Sequence, residues 1–262
     1  MQLSLCSTGF KDMPVENVID LANKLGLDGI ELWIQHILDY EQTHGDLDGL
    51  LLLLRRHNLH VPVISGYTYF SKNDSERELR EMENMMQRAA ILKCKLIRTF
   101  VGHIPSIQTN LVEWSKTLSS IMEALKLAHE YKMYIGVETH NNTFADSFDS
   151  LRLLIKEIND PYLKIIYDGF NFHIDGYDSM EVLREFYPHI FHVHLKNYRW
   201  CFEDWDKSVP TSIFEGDFNH LGQIQLLKDQ QYSNYLSLEY FGDDARQLIA
   251  ESLRDLRPIV AS

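Results

Sequence analysis

Residues 191–196, which read Phe191-His192-Val193-His194-Leu195-Lys196, form the pattern on which the fold prediction rests. Apolar and polar side chains alternate, which predicts a short buried strand with His192, His194 and Lys196 on one face. A strand interior seldom carries three such groups unless they point into a site. We therefore expect this strand to end at a functional centre.

Three further apolar runs each end in an acidic residue. They are Tyr134-Ile135-Gly136-Val137-Glu138, Leu163-Lys164-Ile165-Ile166-Tyr167-Asp168 and Tyr235-Leu236-Ser237-Leu238-Glu239. Each run has the length and composition of a buried strand. The pattern therefore predicts one acid at the carboxyl end of each of three strands.

Eight strand candidates, each followed by a helical pattern, extend along the chain. They are Leu3–Ser7, Gly29–Trp33, His60–Ser65, Lys95–Val101, Tyr134–Glu138, Lys164–Asp168, Ile190–Leu195 and Leu236–Tyr240. Alternating strands and helices predict an α/β fold with a parallel sheet. Eight repeats without a GxGxxG turn after the first strand favour a closed (β/α)8 TIM barrel over an open sheet. No linker or charge block interrupts the pattern, so we predict a single domain over residues 1–262.

Composition restricts the class of partner. The 262 residues are 45% hydrophobic, which suffices for a packed core, and the formal net charge is -13. Such a charge disfavours nucleic acid or an anionic membrane surface, because phosphate binding depends on Lys and Arg. We expect a small-molecule substrate, no nucleic acid, no membrane and a possible homo-oligomer.

The cysteines and the first residues predict the compartment. Cys6, Cys94 and Cys201 are odd in number and form no CxxC pair, which argues against a disulfide framework or a zinc-thiolate site. The chain starts with strand-like sequence rather than the basic and apolar regions of a signal peptide. We expect a cytoplasmic protein.

The strand-end residues form a ligand set for one metal ion. In a closed parallel barrel the carboxyl ends of all strands meet on one rim, with neighbouring strands about 4.8 Å apart. Glu138, Asp168 and Glu239 supply oxygen ligands, and His194 supplies nitrogen. This mixture predicts one divalent ion, with Mn²⁺ favoured and Zn²⁺, Co²⁺ or Mg²⁺ as alternatives.

Several short motifs resemble the xylose isomerase-like TIM barrel superfamily, in particular its sugar (phosphate) isomerase/epimerase branch. They are Gly29-Ile30-Glu31-Leu32, Val137-Glu138-Thr139-His140, Tyr167-Asp168-Gly169-Phe170-Asn171, His192-Val193-His194-Leu195-Lys196, Glu215-Gly216-Asp217 and Ser237-Leu238-Glu239. The resemblance implies that Glu138, Asp168, His194 and Glu239 are the metal ligands. Strand-end logic reaches the same four residues.

The resemblance also implies a reaction. We expect a metal-dependent sugar or sugar-phosphate isomerase/epimerase that transfers a proton through a metal-bound cis-enediolate. Glu138 and Glu239 would be the catalytic residues on opposite faces of the substrate, one taking the proton and the other returning one.

Four further residues are candidates for substrate binding. Lys196 shares a strand face with His194, and His140 follows the metal-binding Glu138. Asn171 occupies a place where ketose epimerases usually carry His, and Trp33 ends the second strand on the same rim. The long connection from Lys196 to His220 is expected either to cover the site or to be a plain surface excursion.

Three other functions remain open on this sequence. The first is a metal-dependent dehydratase (a lyase) of a cyclic polyol or dehydroshikimate-like acid, in which the enolate expels water. The second is an apurinic endonuclease of the same superfamily, which would need several metals and a basic face. The third is a barrel that binds metal or carbohydrate without turnover.

Overall fold

The computed structural model describes residues 1–71 and 75–261. Eight parallel strands close into a barrel in the order β1-β10-β7-β6-β5-β4-β3-β2, and an additional two-stranded sheet joins β8 to β9. This arrangement confirms the predicted α/β, single-domain (β/α)8 barrel. The main core of buried Leu, Ile and Val side chains combines residues of the strands with the apolar faces of the surrounding helices, and Val63, Leu96 and Ile166 form a smaller separate cluster.

The strands are β1 (Gln2–Cys6), β2 (Gly29–Trp33), β3 (Ile64–Ser65), β4 (Leu96–Thr99), β5 (Tyr134–Glu138), β6 (Leu163–Asp168), β7 (Ile190–Leu195), β8 (Asn197–Arg199), β9 (Val209–Thr211) and β10 (Tyr235–Leu238). The α-helices are α1 (Val15–Lys24), α2 (Ile34–His44), α3 (Asp48–Arg56), α4 (Ser75–Leu92), α5 (Leu111–Tyr131), α6 (Phe148–Ile158), α7 (Gly169–Ile174), α8 (Ser179–Phe186), α9 (His220–Asp229) and α10 (Ala245–Ala261). Short 3-10 turns occupy Ser7–Phe10, Ser106–Gln108, Tyr187–His189 and Trp205–Lys207.

Helix α5 shows how local sequence sets an element. The Asn110 side chain accepts hydrogen bonds from the N–H groups of Val112 and Glu113, and Glu113 reaches back to the Asn110 N–H, which completes a capping box. Leu118 and Ile121 on one face of the helix are buried. The cap contributes about 1 kcal/mol, and most of the remaining stability comes from burying that face.

The third strand is shorter than predicted. The sequence predicts His60–Ser65, but the regular strand covers only Ile64–Ser65. His60 makes a single isolated bridge to Gly29. Pro62 interrupts the run because it has no N–H to donate to a neighbouring strand.

Strand register places the site residues at one end of the barrel. Asp168 at the end of β6 is the cross-strand neighbour of His194 in β7, and His194 is in turn paired with Ser237 of β10. Glu138 closes β5 opposite Ile166. The carboxyl ends of β5, β6, β7 and β10 therefore lie side by side.

The long connection after β7 contains the antiparallel hairpin β8–β9. The Asn197 amide donates to the carbonyls of Ile213 and Phe218, and the Trp200 N–H donates to Asp217 at 2.7 Å. These bonds close the base of the hairpin, while Phe202 near its tip is 84% exposed. Whether the hairpin covers the site stays a prediction.

Across residues 1–71 and 75–261, helices with the length and apolar character needed to cross a bilayer are absent.

Candidate active site

Four side chains converge at the carboxyl-terminal mouth of the barrel. Glu138, Asp168, His194 and Glu239 each offer one ligand atom, and these atoms all lie within 4.8 Å of one another. All four residues are buried. The predicted ligands are thus close enough to share one ion, and their role as ligands stays a prediction.

Asp168 is oriented by the backbone that follows it. Its Oδ1 accepts hydrogen bonds from the N–H groups of Phe170 (3.0 Å) and Asn171 (3.3 Å), so that it caps the N-terminus of α7. Its own N–H donates to Thr139 Oγ1 at 2.8 Å. With Oδ1 engaged in this way, Oδ2 is the oxygen that remains for the cluster.

His194 is oriented by an acid on the opposite side of the barrel. Its Nε2–H donates to Glu31 Oε2 at 3.0 Å, and its Nδ1 lies 3.3 Å from Glu138 Oε1. His192 donates to the same Glu31 oxygen at 2.9 Å, and Ser65 donates to Oε1. A carboxylate that holds one imidazole nitrogen leaves the other to face a metal, as is usual for metal-binding histidines.

A buried arginine joins the cluster from β4. Arg98 Nε lies 2.5 Å from Glu138 Oε2, and its NH1 lies 3.8 Å from Glu31 and 3.9 Å from Glu239. Arg98 is 3% exposed. Burial would lower the pKa of its guanidinium, but Glu138, Glu239 and Glu31 raise it. Arg98 is therefore a permanent positive charge inside the site.

Lys196 lies against two of the predicted ligands. Its Nζ is 2.7 Å from Asp168 Oδ2 and 3.0 Å from Glu239 Oε2. Burial would lower the pKa of Lys196, and the two carboxylates reverse that effect and raise it. The ammonium therefore stays charged and faces the cluster, and its predicted contact with substrate stays a prediction.

The two glutamates of the cluster are ionised, whereas burial raises the pKa of Asp168 despite the nearby Lys196. Burial raises the pKa of Glu138, but Arg98 and then His194 outweigh burial and lower it. In the same way Lys196 and His194 lower the pKa of Glu239. Near neutral pH both side chains carry the negative charge that a cation ligand needs.

The charge balance fits a divalent ion. Burial would lower the pKa of His194, but Glu31, Glu239 and Glu138 raise it, so the ring is a cation without metal. Once His194 is neutral, as a metal ligand must be, Glu31, Glu138, Asp168 and Glu239 face only two cations, Arg98 and Lys196, which leaves two negative charges. Within residues 1–71 and 75–261, the buried oxygens Glu138 Oε2 and Asp168 Oδ2 also lack a well-formed hydrogen bond despite the nearby cations. A divalent cation would balance the charge and use these oxygens. The donor set could therefore hold such an ion.

A second group of possible ligands shares His194. Cys6, Glu31 and His194 also approach one another closely enough to hold a metal. However, burial, then Glu31 and Glu239, raise the pKa of the Cys6 thiol, which disfavours the thiolate that binds metal. Glu31 is also already engaged by His192 and Ser65. The four-residue group fits an ion better.

The other predicted substrate-binding residues differ in position. His140 is partly exposed, donates from Nδ1 to the Asn141 carbonyl (2.8 Å) and packs edge-on against Phe100. Trp33 is also partly exposed on the rim. Asn171 is buried and its amide donates to the Thr139 carbonyl at 2.9 Å. Substrate contact by these residues stays a prediction.

Aromatic rings border the inner side of the mouth. The Arg98 guanidinium carbon lies 5.3 Å from the Tyr67 ring centroid and 5.1 Å from that of Phe100, and Tyr69 stacks on Phe100 at 5.5 Å. Burial raises the pKa of Tyr67 to about 12, so its phenol remains a hydrogen-bond donor. These rings give the mouth flat apolar walls.

Sequence reasoning assigned no role to Arg98 or Tyr67, and it named Glu31 only as part of the motif Gly29-Ile30-Glu31-Leu32. The signal for Arg98 was a lone basic residue within Leu96-Ile97-Arg98-Thr99, an otherwise apolar strand. A charged residue there must face the barrel interior and find a partner. The signal for Glu31 was equivalent, an acid between Ile30 and Leu32 in β2.

Comparison with curated proteins identifies dehydratases. The chain is 28% identical to a 3-dehydroshikimate dehydratase of Bacillus anthracis over 98% of this chain and 96% of that protein. It is also 28% identical to an inosose dehydratase of Clostridium tetani, over 51% of this chain and 49% of that protein.

These relatives overturn the predicted reaction. The expectation of a sugar isomerase or epimerase is wrong, because a relative that matches 98% of the chain is a dehydratase, and dehydratases are lyases. Nothing in these similarities supports manganese in particular. The error has a chemical cause: isomerisation and dehydration both begin with metal-assisted proton removal beside a carbonyl group, so the ligand set does not distinguish them.

Solved structures share the whole fold. The probable 3-DHS dehydratase AsbF from Bacillus anthracis superimposes with a TM-score of 0.91 at 27% identity, covering 98% of this chain and 99% of that one. The IOLI protein, solved with a bound zinc atom, superimposes with a TM-score of 0.84 at 19% identity, covering 100% and 98%. Residues 19–259 match the family described as xylose isomerase-like TIM barrel. The chain is therefore a member of the xylose isomerase-like TIM barrel family.

Proposed function

We propose that this protein is a metal-dependent dehydratase that removes water from a small cyclic substrate carrying a ketone and a neighbouring hydroxyl group. The observation that carries the proposal is the match to a 3-dehydroshikimate dehydratase over 98% of the chain. The clustered ligands Glu138, Asp168, His194 and Glu239 support it. The substrate class is a dehydroshikimate-like acid, with a cyclic polyol such as inosose as the alternative.

The four clustered residues would hold the ion. Three carboxylates and one imidazole suit Mn²⁺, Zn²⁺ or Co²⁺ better than Mg²⁺ or Ca²⁺, and the zinc of the IOLI protein fits that range. When bound, the ion supplies a Lewis acid that polarises the substrate carbonyl group and makes the neighbouring C–H bond more acidic.

His140 is the side chain that we assign to proton transfer. Its Nδ1–H is held by the Asn141 carbonyl, so the neutral ring keeps an unprotonated Nε2. In the proposed reaction Nε2 accepts the proton from the carbon beside the ketone, the C–H electrons form a C=C bond, and the C–O bond breaks. The protonated ring then returns its proton to the departing oxygen, so that water leaves.

The acids take a different part from the one expected for an isomerase. Their pKa values are lowered, so Glu138 and Glu239 are poor proton donors near neutral pH and well suited to remain ligands. Lys196 would stay protonated beside Asp168 and Glu239 and donate a hydrogen bond to a substrate oxygen.

The test is product analysis. Metal-loaded protein is incubated separately with 3-dehydroshikimate and with inosose, and products are identified by mass spectrometry. A product lighter by one water, absent after chelator treatment and absent in Asp168→Asn, is the expected result. An isomeric product of unchanged mass, or no reaction with either compound, would overturn the proposal.

A further inference from the structure

Among the residues that the structure describes, Lys11 at the mouth of the barrel forms no ion pair with an acid. Lys11 follows β1 on the rim and is exposed. Its Nζ lies 5.2 Å from the ring centroid of Trp33 and 5.6 Å from that of Tyr67. None of the ion pairs found among residues 1–71 and 75–261 includes it, whereas Arg98 and Lys196 are each paired with buried carboxylates.

The Tyr67 ring connects Lys11 to the candidate metal centre. The Arg98 guanidinium carbon is 5.3 Å from the centroid of the same ring, and Arg98 contacts Glu138 directly. The Lys11 ammonium and the Arg98 guanidinium are therefore separated by no more than the sum of their distances to the Tyr67 centroid. A small ring anchored at the metal ligands would extend towards Trp33, Tyr67 and Lys11.

The two inner cations are poor candidates for binding a further anion. Arg98 and Lys196 neutralise buried acids, and withdrawing either would leave a buried carboxylate without its counter-charge. Among the described residues, Lys11 neutralises no buried acid. Its contact with the rings at an exposed position is weaker than a hydrogen bond to a charged group, so a carboxylate can replace it.

We propose that Lys11 binds a carboxylate of the substrate and selects a cyclic keto acid over a neutral polyol, with Trp33 and Tyr67 flanking the substrate ring. This inference rests on the proposed dehydratase function and specifies its substrate class. It also addresses an electrostatic difficulty. A protein with a net charge of -13 repels an anionic substrate, and a local cation at the entrance offsets that repulsion.

The kinetic test compares Lys11→Met, which removes the charge and keeps the length, with Lys11→Arg. Lys11→Met is expected to raise KM for 3-dehydroshikimate about tenfold or more and to change kcat much less, because it removes binding made equally in the ground and transition states. Lys11→Arg should stay near wild type. Lys24→Met is the matched control, since Lys24 is an exposed lysine lining the same outer cleft of about 550 Å³ as Lys11.

A binding measurement separates this proposal from the proposed function. Calorimetry on the metal-loaded protein compares 3,4-dihydroxybenzoate with catechol, two rings with adjacent hydroxyls that differ by one carboxylate. Wild type should bind 3,4-dihydroxybenzoate more tightly than catechol. In Lys11→Met the ratio of the two dissociation constants should fall about tenfold. An unchanged preference overturns the role of Lys11 even if dehydration occurs. If the wild type dehydrates neither 3-dehydroshikimate nor inosose, the proposed function is overturned, whatever the binding measurement shows.

Discussion

Glu31 Oε2 lies 3.0 Å from His194 Nε2, across the barrel interior from the strand that carries the histidine. This bond fixes the ring so that Nδ1 faces Glu138 and Glu239. The pKa of Glu31 would be raised by burial but is lowered by His194 and His192, so its carboxylate is charged and a strong acceptor. Glu31 thus orients a candidate metal ligand without being one of the four.

Removing the charge of Glu31 should weaken metal binding. We expect Glu31→Gln to lower the affinity for Zn²⁺ or Mn²⁺ about 10- to 100-fold, as is usual when the partner of a ligating histidine is changed. Competition titration against a chromophoric chelator measures the effect. Glu203→Gln, at an exposed glutamate of the hairpin, is the control. Equal affinities in the two variants would contradict the orienting role.

Asp168→Asn separates metal binding from folding. Asparagine caps a helix as well as aspartate does, so the bonds to the N–H groups of Phe170 and Asn171 should persist. The charge facing the cluster is lost. We expect a larger loss of metal affinity than in Glu31→Gln, with a circular dichroism spectrum like that of wild type. Full metal content by elemental analysis would remove Asp168 from the ligand set.

Arg98 should be essential for stability before any metal binds. Replacing it by Met leaves Glu138 and its neighbours buried without their cation, which costs about 3–5 kcal/mol in the free energy of unfolding. Urea denaturation of chelator-treated protein measures this. The control is Arg152→Met, because Arg152 pairs with Glu185 on the surface and should contribute only about 0–1 kcal/mol. Similar losses in both variants would refute the prediction.

Metal should stabilise the fold in proportion to its binding. At a free metal concentration 100 times Kd, the free energy of unfolding should rise by about 2.7 kcal/mol. Differential scanning calorimetry with and without chelator detects this as a change in Tm. The shift should shrink in Asp168→Asn. A Tm that does not respond to Mn²⁺, Zn²⁺ or Co²⁺ would argue against a metal site.

The buried His220 ring should make the folded protein less stable in acid. Its ring is buried and Nε2–H donates to the Lys196 carbonyl at 2.8 Å. Burial lowers its pKa from 6.5 to about 4. Between these two pH values the ring is protonated in the unfolded chain but neutral in the folded protein. The free energy of unfolding therefore falls as pH drops from 6.5 to 4, by about 3 kcal/mol for this residue.

Urea denaturation across that pH range tests the His220 prediction. His220→Gln, which can still donate to the carbonyl, should flatten the decline. His60→Gln, at an exposed histidine, should leave it as in wild type. Parallel curves for wild type and His220→Gln would show that the acid sensitivity has another source.

The sequence by itself determined the barrel and the residue types at its mouth. Strand periodicity places Glu138, Asp168, His194 and Glu239 at strand ends, and in a parallel barrel all those ends share one rim. Four strand-end positions could therefore be placed in one cluster from local pattern alone. The type of reaction could not be predicted from that pattern, because isomerases and dehydratases need the same metal ligands.

Only the tertiary structure decided which charges meet. The Glu31–His194 bond joins residues 163 positions apart, and Arg98 reaches Glu138 from the adjacent strand and Glu31 and Glu239 from farther around the barrel. Local pattern says which face of a strand a side chain occupies. Its partners across the barrel depend on the stagger of the closed sheet and on side-chain rotamers, which short-range periodicity does not encode.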